Sequence, residues 1–104
     1  MKDILDTVDE WRATGERVAI ATVVRTVGST PRPAGAAMGI TESGKVAGSV
    51  SGGCLEAEIV EEALGVLGDG KPKLVHYGIS DEMAFRVGLS CGGELDVFVE
   101  PLTW

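Results

Sequence analysis

Residues Val18-Ala19-Ile20-Ala21-Thr22-Val23-Val24 form a continuous, β-branched and largely apolar run. A strand with one wet face alternates apolar and polar positions, whereas a run with almost no polar break must be covered on both faces. A chain with this segment therefore folds as a sheet with layers above and below it. Its 104 residues make one domain, large enough to bury a core without disulfide or metal staples.

The remaining elements fall around that strand. Ile4, Val8 and Trp11, with Leu5 beside them, mark an amphipathic helix over Asp3–Thr14 that Gly15 ends. Ala36–Ile40 and Val46–Val50 read as short strands joined by a turn at Glu42-Ser43-Gly44-Lys45. A second helix starts near Cys54, with Leu55, Ile59 and Ala63 as its apolar stripe, Val60, Leu64 and Leu67 alongside, and Gly68-Asp69-Gly70 as its stop. Lys73–Tyr77 is a further strand, and residues 79–87 suggest one or two helical turns. Leu95, Val97 and Val99 alternate with Asp96, Phe98 and Glu100 in a last strand closed by Pro101. The expected fold class is α/β: a mixed sheet of about five strands with two main helices, in a single layered domain.

Sixteen acids against nine bases leave a formal charge of −7, which argues against nucleic acid or an anionic membrane as partner. The charge is uneven. Residues 17–53 carry Arg17, Arg25, Arg32 and Lys45 against Glu42 alone, a locally basic stretch suited to an anion. No apolar run approaches the roughly 20 residues that span a bilayer. Acids occupy the place of a signal-peptide core, so the expected location is cytoplasmic. Two cysteines 37 positions apart lack metal-ligand spacing and are expected to be free thiols in such a compartment.

Seven of the fifteen glycines lie between residues 28 and 53. Ser51-Gly52-Gly53 before a helix start offers unpaired backbone N–H groups to an anion, or serves only as a tight turn into the helix. Cys54 falls in that helix's first turn, where the dipole lowers a thiol's pKa; it is either a reactive thiolate or a small buried side chain. Ser90-Cys91-Gly92-Gly93 is a second turn of related composition, able to form a nest for the same type of ligand. Arg32, between Pro31 and Pro33, presents a guanidinium for bidentate contact with phosphate or carboxylate, unless it is simply solvated. Ser29 and Thr30 can cap, turn or donate to an anion. Glu56 is placed to act as a general base beside Cys54, and His76, inside a strand, reads as a structural residue.

Three of these segments together carry a likeness. Gly28-Ser29-Thr30-Pro31-Arg32-Pro33-Ala34-Gly35-Ala36-Ala37-Met38, Gly48-Ser49-Val50-Ser51-Gly52-Gly53-Cys54-Leu55-Glu56 and Gly88-Leu89-Ser90-Cys91-Gly92-Gly93, with Phe98-Val99-Glu100-Pro101-Leu102 closing, resemble the N-terminal domain of the XdhC/CoxI family. The likeness runs over nearly all of residues 1–104. It implies an accessory protein that binds molybdenum cofactor (molybdopterin, a pterin dithiolene with a phosphate tail). Such a protein assists the cofactor's sulfuration and its insertion into a molybdenum hydroxylase apo-enzyme, such as xanthine or carbon monoxide dehydrogenase.

On that likeness Ser29, Arg32, Ser51, Gly52, Gly53, Ser90, Gly92 and Gly93 hold the cofactor, and Cys54 and Cys91 approach its molybdenum or sulfur. Longer members carry a C-terminal Rossmann-like domain, which is expected to be absent here and supplied, if at all, by a separate chain. A cysteine desulfurase is a further implied partner. Trp11 and Trp104 near the ends suggest a homo-oligomer. Two other classes compete: a thiol-dependent sulfur-transfer or redox enzyme using Cys54 with Glu56 as proton acceptor, and a non-catalytic assembly module.

Overall fold

The computed structural model describes residues 4–27, 34–50, 56–77 and 94–103. Along the chain these form α1 (Leu5–Ala13), β1 (Val18–Val27), β2 (Ala37–Thr41), β3 (Val46–Gly48), α2 (Glu56–Asp69), β4 (Lys73–Tyr77) and β5 (Glu94–Pro101). The strands make one five-stranded sheet in the order β3-β2-β1-β5-β4. The expected strand and helix counts are thus observed. The suggested helical turns at 79–87 lie outside the described residues.

Where a mixed sheet was expected, all four strand pairings are antiparallel. The reason is topological. The α2 crossover joins β3 to β4, which run in the same direction, but these strands occupy opposite edges and never pair. Three strands stand between them.

The double-sided burial expected of the β1 run is observed over Val18–Val23, whereas Val24 is exposed. Ala19, Ala21 and Val23 face a core built with Ile59, Ala63, Val66 and Leu67 of α2, plus Leu95, Val97 and Val99 of β5. Val18 and Ile20 face a smaller cluster with Ile4 and Val8, joined by Ala37 and flanked by Trp11 and Leu102. The two helices therefore cover opposite faces, α1 over one end of the sheet and α2 across its middle. The α2 stripe differs from expectation at one place: Val66 is buried, and Leu64 is exposed. The buried set 59, 63, 66, 67 follows the i, i+4, i+7, i+8 spacing of one helical face. The α2 C-terminus has no basic residue in its last turn, and Arg17, from the α1–β1 connection, donates to the Leu67 carbonyl instead.

A bulge in β1 decides how its second half is presented. Val23 pairs with Val97, yet Arg25 pairs with Asp96, so Val24 is an extra residue. Simple alternation would put Arg25 on the α2 face with Ala19, Ala21 and Val23. One inserted residue turns it to the other face, as any one-residue register shift does. A guanidinium is thereby kept out of the core.

Candidate functional site

Antiparallel pairing brings several chain ends to one end of the sheet. Val27, the last residue of β1, is opposite Glu94, the first of β5, and Tyr77, the last of β4, is opposite Leu95. The approach to β2 lies on the same side, with Gly35 N–H donating to the Val23 carbonyl (2.7 Å) and Val23 N–H to the Ala36 carbonyl (2.9 Å). Gly48, which ends β3, is opposite Met38 near the start of β2. Just beyond it, Ser49 Oγ donates to Glu56 Oε1 at 3.2 Å, tying the exit of β3 to the first residue of α2. The chain therefore leaves and re-enters the described structure around segments 28–33, 51–55 and 78–93 at one shared end.

Ser29, Arg32, Ser51, Gly52, Gly53, Cys54, Ser90, Cys91, Gly92 and Gly93 all fall in those segments and lie outside the described residues. Thr30 does too. Glu56 is described: it is half-buried at the start of α2 and accepts the Ser49 hydroxyl bond. Among the described residues, no group of three His, Cys, Asp or Glu side chains is arranged to hold a metal. No described helix is long and apolar enough to cross a membrane.

Two features at this end were not singled out from the sequence. The first is a row of charges across three neighbouring strands, Arg25, Asp96 and His76, placed directly opposite one another by the register. Arg25 Nε donates to Asp96 Oδ2 at 2.8 Å, and His76 Nδ1 lies 2.5 Å from Asp96 Oδ1. His76 Nε2 is 3.6 Å from Glu94 Oε1. The hydrogen bonds from Arg25 and His76 hold the Asp96 carboxyl below its ordinary range, and Asp96 in turn raises Arg25. His76, read from the sequence as structural, is a hydrogen-bond partner of Asp96 on an exposed strand face. The signal in the sequence was Asp96 on the polar side of an alternating strand.

The second feature is Tyr77. It is only 4% exposed and belongs to the main core, yet its hydroxyl is buried with no hydrogen-bond partner among the described residues. Burial, then the carboxylates of Glu62 and Glu58, push the phenol well above its usual range, so it remains a neutral donor. Lys73, Val75 and Tyr77 share the face toward α2, which the period-two alternation of strands makes legible. The lack of a partner does not show in sequence. A depression of about 310 Å³ lies elsewhere, between the end of α2 and the start of β4, lined by residues such as Glu61, Asp69 and Lys71. It carries no thiol or imidazole.

Similarity to known proteins is specific. The XdhC and CoxI family pattern matches residues 11–78, and this chain belongs to that family. It is 35% identical over 101 residues to the molybdenum cofactor insertion chaperone PaoD of Escherichia coli (strain K12), covering 97% of this chain and 31% of that protein. It is 33% identical over 91 residues to a protein of Bacillus subtilis (strain 168) described as a probable xanthine dehydrogenase subunit, covering 85% and 27% respectively. A crystal structure described as a xanthine dehydrogenase from Bacillus halodurans superposes with a TM-score of 0.79 at 31% identity, over 93% of this chain and 30% of that one. The chain spans about a third of the length of these relatives.

Proposed function

We propose that this chain binds molybdenum cofactor and serves in the maturation of a molybdenum hydroxylase of the xanthine or carbon monoxide dehydrogenase kind, assisting sulfuration of the cofactor and its insertion into the apo-enzyme. The observation that carries this is the likeness, over 97% of the chain, to a protein named as a cofactor insertion chaperone. Support comes from the shared sheet end at which the three glycine-rich segments attach.

In this proposal Cys54 and Cys91 approach the molybdenum or its sulfur, as thiolates suit a soft, sulfur-bonded metal. Ser51, Gly52, Gly53, Ser29 and Arg32 hold the anionic part, and Ser90, Gly92 and Gly93 complete the enclosure. Glu56, fixed by Ser49, serves as proton acceptor beside Cys54. The cofactor supplies the oxygen-transfer chemistry of the hydroxylase, and this chain holds and delivers it. A cysteine desulfurase provides the sulfur. The protein acts in the cytoplasm as a homo-oligomer.

The test is cofactor retention. Protein prepared anaerobically with molybdenum cofactor is passed through gel filtration, and bound pterin is read by fluorescence and molybdenum by elemental analysis. Wild type is expected to retain both, and Cys54→Ser neither. Full retention by the serine variant removes the thiol role; absence of pterin from the wild type removes the proposal.

A further inference from the structure

We draw no further inference here: the strongest candidate, the surface patch on the sheet face away from α2 where exposed Leu74 of β4 stands opposite half-buried Phe98 of β5, carries nothing because nothing among the described residues shows what covers it.

Discussion

Gly48 is the position where one added methyl group should do most damage for its size. Its φ is +77°, in the left-handed region that costs an alanine about 1–2 kcal/mol. A Cβ there would sit 2.4 Å from the Ala37 carbonyl oxygen and 2.7 Å from Ile4 Cγ2. The first contact is with backbone inside the β2–β3 pairing, so relief requires moving a strand, and such overpacking costs about 1–3 kcal/mol. Gly48→Ala is therefore expected to lose about 3 kcal/mol, equivalent to a drop of about 12–24 °C in Tm for a domain of this size. Gly44→Ala separates the two causes. Gly44 has φ +93°, but its Cβ would meet nothing within 4 Å, so only the backbone strain applies, about 1 kcal/mol or roughly 4–8 °C. Both variants are melted under circular dichroism with a check of reversibility. Equal losses at the two positions would refute the contact argument, and with it the close docking of Ile4 under the end of β3.

Two further outcomes follow from the packing and the charge row. Ile59→Ala, at a fully buried side chain between α2 and the sheet, is expected to cost about 2–5 kcal/mol, read as a lower urea midpoint at unchanged slope. Asp96 titrates below the ordinary 3.8, so its ion pairs stabilise the fold above that value, and the contribution disappears as pH falls through the depressed native value. Asp96→Asn is expected to flatten the acid limb of a stability–pH curve below about pH 4, and parallel curves for variant and wild type would show that the row contributes nothing.

Much of the fold was legible because it depends on patterns that only one arrangement satisfies. The continuous run at Val18–Val24 demanded cover on both faces, and α1 and α2 supply it over Val18–Val23. The alternation at 95–100 placed Leu95, Val97 and Val99 inside. Other features depend on tertiary geometry that no local window contains. Leu64 is as apolar as Leu67, and it is the packing of α2 on the sheet that leaves Leu64 exposed and Val66 buried. The bulge at Val24 is invisible to propensity, although the charge at Arg25, in phase with Ala19, Ala21 and Val23, was a signal that the alternation had to break. The candidate site was legible as composition, in glycine, serine and cysteine, but not as geometry. Tyr77 was missed because the lack of a partner for its hydroxyl among the described residues is a fact about its neighbours.

The convergence of the candidate segments follows from the direction of the strands. In an antiparallel sheet each connection lies at one end or the other, and strand direction assigns which. The connections at 14–17, 42–45 and 70–72 are short and sit at one end; those at 28–36, 49–55 and 78–93 are longer, rich in glycine, and leave and rejoin the sheet and α2 at the other. Every residue put forward for binding belongs to the second set, and Glu56 borders it. A short turn has few residues beyond those needed to reverse the chain, so its composition is fixed by the turn itself, as Thr41 and Gly44 illustrate in the β2–β3 connection. The longer connections exceed that requirement, and the candidate glycine, hydroxyl and thiol groups fall in them. It is this end of the sheet that the proposed function assigns to the ligand.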